Sequence, residues 1–155
     1  MKYSLSFIFI CVVLISGCTT KLNENSVELL SPYLSALKDT HKNEVIDDFD
    51  TPEERRLFAT RRTEERLKRL NTILNDKTSA GDEAIAYLLF LYTGEYSGSV
   101  LSCEAAQRGD RMIPIIRRYQ RLIPKTGLEP YPDAMQGSGV LPSRVLRYIQ
   151  SGETC

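Results

Sequence analysis

Hydrophobic positions recur at helical spacing through most of this chain. Residues 27–37 carry apolar side chains three or four positions apart, with Pro32 as a helix-start signal among them. A second apolar stripe covers residues 57–74, and its start is set by a capping box in which Thr51 and Glu54 satisfy each other's backbone amides. The period of these stripes predicts amphipathic helices rather than strands.

The most apolar run after the N-terminal segment lies at residues 84–92. Its alanines, and the capping residues Ser79 and Asp82 before it, favour a buried central helix over a buried strand. A proline- and glycine-rich loop at 124–139 is long for a compact domain and is a candidate recognition surface. The same reasoning predicts three further helices, at about 99–107, 110–122 and 141–151.

These elements predict an all-α fold: a single compact domain of five or six helices packed as αα-hairpins. The chain has 155 residues, which allows one domain. Hydrophobic residues make up 42% of it, but 12 of them fall within residues 1–17, so the rest of the chain is poorer in hydrophobic residues than this percentage indicates. We place the helical domain at residues 26–155.

The first 17 residues have the pattern of a secretory signal peptide. Lys2 is followed by an apolar run of 11 residues, from Leu5 to Ile15. This run is shorter than the roughly 20 residues that a membrane-spanning helix needs, and it matches the apolar region of a signal peptide. We therefore expect the chain to leave the cytosol.

The end of this segment, residues 14–18, has an aliphatic residue and two small residues directly before a cysteine. The pattern resembles the lipobox of bacterial lipoproteins. The resemblance implies that the signal is cleaved between Gly17 and Cys18 and that acyl chains such as palmitate are attached at Cys18. Up to three acyl chains are more than stable anchoring in a bilayer requires.

Under the same resemblance, residues 18–25 form a short polar tether and the protein is a lipid-anchored component of the bacterial cell envelope. The absence of Asp directly after Cys18 resembles lipoproteins that are sent to the outer membrane, where they face the periplasm if the source has two membranes. The alternative is ordinary signal-peptidase cleavage near the same point, which predicts a soluble secreted protein.

Two of the four cysteines remain once Cys11 leaves with the signal and Cys18 is acylated. In an oxidising compartment we expect Cys103 and Cys155 to form a disulfide. The bond would close a loop of about 50 residues and stabilise the fold by on the order of 4 kcal/mol. The alternative is a buried Cys103 and a free Cys155. No C-x-x-C spacing indicates redox or zinc chemistry.

The charge balance and the absence of known motifs argue against nucleic-acid binding and against most kinds of catalysis. Twenty basic residues balance twenty acidic ones, which gives no electrostatic reason to expect a nucleic-acid partner. No metal-binding, phosphate-binding or dinucleotide motif is present, so we predict no cofactor, no metal and no catalytic residue. Glu95 and Glu104 are the candidates for a cell-wall hydrolase that works with paired carboxylates. The competing interpretation is that they form ion pairs with Arg108 and Arg111.

The hypothesis that fits best is a membrane-anchored envelope lipoprotein that binds a protein partner without catalysis. It would be an assembly accessory, or an inhibitor or immunity protein for an envelope enzyme. A cell-wall hydrolase and a purely structural lipoprotein are the alternatives. Residues 19–50 have a net charge of −4 and residues 96–155 one of +3. This asymmetry predicts that the acidic part lies beside the anchor and the basic part points away from the membrane.

Overall fold

The fold is all-α with six helices, as the hydrophobic pattern predicts. The computed structural model describes residues 21–43, 51–91, 95–124, 126–127 and 140–153, and no strand occurs within those ranges. None of the helices in these ranges is long and apolar enough to cross a bilayer. The helices are α1 (Glu24–Asn43), α2 (Pro52–Asn75), α3 (Ser79–Phe90), α4 (Glu95–Gln107), α5 (Met112–Arg121) and α6 (Val140–Ser151), with a 3-10 turn at Gly109–Arg111.

The capping box at the start of α2 is confirmed. The Glu54 amide donates to Thr51 Oγ1 at 3.2 Å, and the Thr51 amide donates to Glu54 Oε2 at 3.0 Å. Each side chain thus satisfies an amide that the helix leaves without an internal partner. This local signal gave the correct start of the longest helix.

The helices α1 and α2 form an antiparallel hairpin. Arg62 Nη1 donates to the Asp39 carbonyl at 3.1 Å, and Arg69 Nη1 donates to the Pro32 carbonyl at 2.7 Å. A step of seven residues forward along α2 therefore corresponds to seven residues backward along α1. Two arginines of α2 thus donate to backbone oxygens of α1 and fix the register of the two helices.

The N-terminal end of α1 differs from the prediction. The helix begins at Glu24, so Pro32 lies inside it, and Leu22 before it is only 8% exposed. A proline inside a helix costs about 3 kcal/mol, but burying Leu30, Tyr33 and Leu34 outweighs that cost. Leu22, which precedes the predicted start of the domain at residue 26, is thus already packed in the core.

The centre of the fold is α3, which contacts all five other helices. Every residue from Gly81 to Leu91 is buried. This confirms the prediction of a central core helix at the most apolar run of the domain. The polar residues at its start are buried as well, and they make the contacts on which the candidate sites depend.

The last three helices pack differently from a chain of hairpins. α4 packs on α3 and on α6. A Cβ placed on Gly98 would lie 3.1 Å from Leu141 Cδ1, and eight residues later along both helices Ala106 and Ile149 line one groove. Because the residue numbers of the two helices differ by the same amount at both levels, α4 and α6 run parallel. α4 thus contacts its chain neighbour α3 and, in addition, lies parallel to α6, a contact that a series of hairpins alone does not include.

Candidate functional site

A buried carboxylate at the start of α3 joins three parts of the chain. Glu83 Oε2 accepts from the Asn23 amide at 2.9 Å and from Ser26 Oγ at 2.7 Å. Its other oxygen, Oε1, accepts from Arg118 Nη2 at 2.5 Å and from the Tyr119 hydroxyl at 2.8 Å. Glu83 therefore links the residues before and within the first turn of α1 to the C-terminal end of α5.

The ionisation of Glu83 follows from these contacts. Burial would raise the pKa of Glu83, but the donors from Asn23, Ser26 and Tyr119 and the charge of Arg118 together hold it below its usual value. Burial raises the pKa of Tyr119, and its bond to the Glu83 carboxylate raises it further. The pair is thus a fixed anion and a neutral phenol, an arrangement that stabilises the fold and transfers no proton near neutral pH.

A second polar cluster centres on Arg108, whose side chain is 2% exposed. Its Nε donates to Glu104 Oε1 at 2.9 Å and its Nη1 to Asp82 Oδ1 at 2.7 Å. Its Nη2 donates to the Leu74 carbonyl at 2.9 Å, at the C-terminal end of α2. One guanidinium thus connects α2, α3 and the end of α4.

Two exposed cations complete this cluster. Lys77 pairs with Glu104, and Arg111 Nη2 lies 3.1 Å from Asp82 Oδ1. Burial would raise the pKa of Glu104, but hydrogen bonds from Lys77 and Arg108 and the charges of both hold it below its usual value. Glu104 is therefore an ionised structural carboxylate, which matches the ion-pair interpretation for this residue.

The backbones of the two candidate hydrolase residues lie far apart on one helix. Glu95 and Glu104 are nine residues apart on α4, so their backbones lie on opposite sides of the helix and about 13 Å apart along its axis. Glycosidases need two carboxylates about 5 to 10 Å apart. The described residues also contain no group of three potential metal ligands.

Of the cysteines named in the predictions, one lies within the described residues and the others lie outside them. Cys103 is half-buried on α4 and forms no disulfide with another described residue, and Cys155 lies outside the described residues. The disulfide between them stays a prediction. The predicted cleavage site at Gly17 and the acylation site at Cys18 also lie outside the part of the chain that the structure describes.

The accessible side of α6 is the candidate binding surface. Val140, Ser143, Arg144 and Arg147 share one side of the helix and line a groove of about 570 Å³. Val140, the first residue of α6, is exposed. The groove combines an apolar side chain with two guanidinium groups, which suit a partner that carries carboxylates.

A second groove of about 450 Å³ lies where α4 and α6 end. Ala106, Asp110, Tyr148 and Ile149 are among its lining residues. Tyr148 is half-buried, and the Arg147 guanidinium lies 6.0 Å from its ring centre. Tyrosine and arginine at a concave surface are the residue types that contribute most to protein–protein binding.

The sequence did not indicate the polar clusters or the α6 grooves. The sequence predicts only a helix-start role for Asp82, and no residue near Glu83 in the chain indicates its partners 35 to 60 residues away. The only signal was the presence of two acidic residues directly before a long apolar run. Buried charges at such a place require partners.

Comparison with known proteins gives no further guide. No family model, no curated protein and no solved structure matches this chain.

Proposed function

We propose that this protein is a lipid-anchored module of the bacterial cell envelope that binds another protein through α6. The observation that carries the proposal is the position of Arg144, Arg147 and Tyr148 between two grooves of about 570 and 450 Å³. The first groove offers positive charge to acidic side chains of the partner, and the second offers Tyr148 and Ile149 to apolar ones. Binding without catalysis is the function that this surface supports best.

The state of the carboxylates supports a binding role over a hydrolytic one. Asp82, Glu83 and Glu104 all accept hydrogen bonds from arginine side chains. A general acid needs a raised pKa, whereas the pKa values of Glu83 and Glu104 are lowered. These groups serve the fold, so a surface that binds is a better candidate site than a surface that hydrolyses.

The anchor is supported by the likeness of residues 14–18 to a lipobox. Metabolic labelling with a fatty acid tests it. We expect label in the wild-type chain and none in Cys18→Ser. An unlabelled wild-type chain would refute the anchor and leave a secreted binding module.

Affinity capture from a detergent extract tests the binding surface. We expect a stoichiometric partner with the wild type and its loss with the double variant Arg147→Ala, Tyr148→Ala. Arg61→Ala, at an exposed arginine on α2, is the matched control and should retain the partner. A partner retained by the double variant, or absent from the wild type, would contradict the proposal. Far-UV circular dichroism confirms that both variants keep their helices.

A further inference from the structure

The packed domain begins very close to the predicted acylation site. Leu22 is buried in the core, and the next residue, Asn23, donates its amide to Glu83. Four peptide steps separate Cys18 from Leu22, and they span at most about 14 Å when fully extended. A lipid at Cys18 would therefore hold the start of α1 next to the bilayer surface.

The C-terminal end of α5 lies beside this point. Glu83 accepts from Asn23 with one oxygen and from Arg118 with the other, so a single carboxylate separates the start of α1 from α5. The residues that follow α5 expose apolar side chains, since Leu122 is 49% and Ile123 41% exposed.

Basic residues accompany this apolar pair. Arg117 and Arg121 are exposed on α5, and Lys21 is exposed directly before the buried Leu22. An apolar pair next to cations is the composition that inserts into a bilayer interface while the cations contact lipid phosphates. We name these five residues the α5 patch: Lys21, Arg117, Arg121, Leu122 and Ile123.

We propose that the α5 patch docks on the anionic surface of the bilayer that holds the lipid anchor. The inference rests on the proposed acylation at Cys18, because the short connection is what brings the patch to the membrane. Charge complementarity with lipid phosphates and the location of Leu122 and Ile123 select a bilayer as the occupant. The domain therefore sits on the membrane in one orientation, held by acyl chains and by the patch.

This orientation reverses the one expected from segment charges. The segment charges predict that the net positive part of the chain points away from the membrane, but Arg117 and Arg121 flank Arg118, which shares the Glu83 carboxylate with Asn23. The Glu83 contacts are responsible, because they fold the end of α5 back onto the start of α1. The α6 groove at Asp110 lies before the start of α5, about 10 Å along the helix from Arg117 and about 18 Å from Leu122, which leaves it accessible to a partner.

A tryptophan reporter tests the proposal, because the chain contains no tryptophan. Leu122→Trp places an indole in the α5 patch, and Leu57→Trp is the matched control, since both leucines are 49% exposed. In the register of the α1–α2 hairpin, Leu57 lies about 30 Å along the axis from the level of Asn23. Each variant is expressed as the full chain, purified in detergent and reconstituted into vesicles that contain phosphatidylglycerol and brominated phospholipid.

We expect brominated lipid to quench the emission of Leu122→Trp and to leave that of Leu57→Trp unchanged. Adding Arg117→Gln and Arg121→Gln to Leu122→Trp should lower the docked fraction, by about fivefold in the partition constant for each arginine removed. Replacing phosphatidylglycerol with a zwitterionic lipid should also reduce the quenching.

Two results would overturn the docking while the anchor stands. The first is flotation of the protein with the vesicles without quenching of Leu122→Trp; the second is equal quenching of both reporters. A change in Leu122→Trp emission caused by a protein partner and not by brominated lipid would assign the patch to that protein instead. A chain that neither floats nor incorporates fatty acid would refute the anchor, and the docking proposal with it.

Discussion

Replacing Arg108 tests whether its cluster holds the helices together. The variant Arg108→Met keeps a long side chain that fills the same space, but it removes the charge and all donors. Arg108 now donates to Asp82, Glu104 and the Leu74 carbonyl. The substitution therefore leaves buried acceptors behind without creating a large cavity, and its cost reports on polar contacts rather than on packing.

The size of the effect follows from what each partner retains. Removing one member of a buried ion pair costs about 3 to 5 kcal/mol. Asp82 would keep Arg111, and Glu104 would keep Lys77, so the lower end of that range applies. We expect Arg108→Met to lower the free energy of unfolding by about 3 kcal/mol, which corresponds to a fall in melting temperature of roughly 10 °C.

Urea unfolding followed by far-UV circular dichroism measures this change, because the signal of an all-α protein is large. Arg108→Lys keeps the charge, but its compact ammonium cannot reproduce the three separate guanidinium nitrogens that reach Asp82, Glu104 and the Leu74 carbonyl, so its stability should fall between those of the wild type and Arg108→Met. Arg117→Met removes an exposed arginine and should change stability by less than about 0.5 kcal/mol. A wild-type midpoint for Arg108→Met would refute the reasoning.

Three further predictions concern the same fold. Gly81→Ala should lower the free energy of unfolding in urea by about 2 kcal/mol, because the added Cβ would lie 2.1 Å from the Asp76 carbonyl oxygen. Helix propensity alone predicts the opposite sign, since alanine favours a helix more than glycine does. Unchanged stability would contradict that geometry. Glu83 has a lowered pKa in the folded state, so its contribution to stability is full above the ordinary glutamate pKa of about 4.5 and is lost as the pH falls through the lower folded value. In an acid titration Glu83→Gln should therefore lose less stability than the wild type over that interval. Thiol titration of denatured, unreduced protein should find no free thiol if Cys103 and Cys155 are bonded, and two free thiols per mature chain would contradict the disulfide.

The helices could be predicted because their signals are local. Thr51 and Glu54 lie three residues apart, and the apolar run that becomes α3 is continuous in the chain. The start of α1 could not be placed from local signals, because Pro32 is a helix-start residue in most contexts. Only the burial of α1 against α2 and α3 makes a helix through this proline favourable.

The polar clusters could not be predicted for a related reason. Glu83 binds Asn23 and Ser26 across 57 to 60 residues, and Arg108 binds Asp82 across 26. Contacts at such separations depend on which helices become neighbours, and hydrophobic periodicity does not specify that. The sequence could indicate that acidic residues lie beside the core, but not which cations would neutralise them.

The short connection to the proposed anchor also restricts which partners the module could bind. The longest helix, α2, has 24 residues and is therefore about 36 Å long. With a connection of at most about 14 Å from Cys18 to Leu22, a helix of this length that runs away from the surface ends within about 50 Å of the bilayer. Docking of the α5 patch would draw the α6 grooves still closer to the lipid surface. A partner that meets Arg147 and Tyr148 must then itself be bound to the membrane or extend to within that distance of it, which favours an envelope protein over a freely diffusing one.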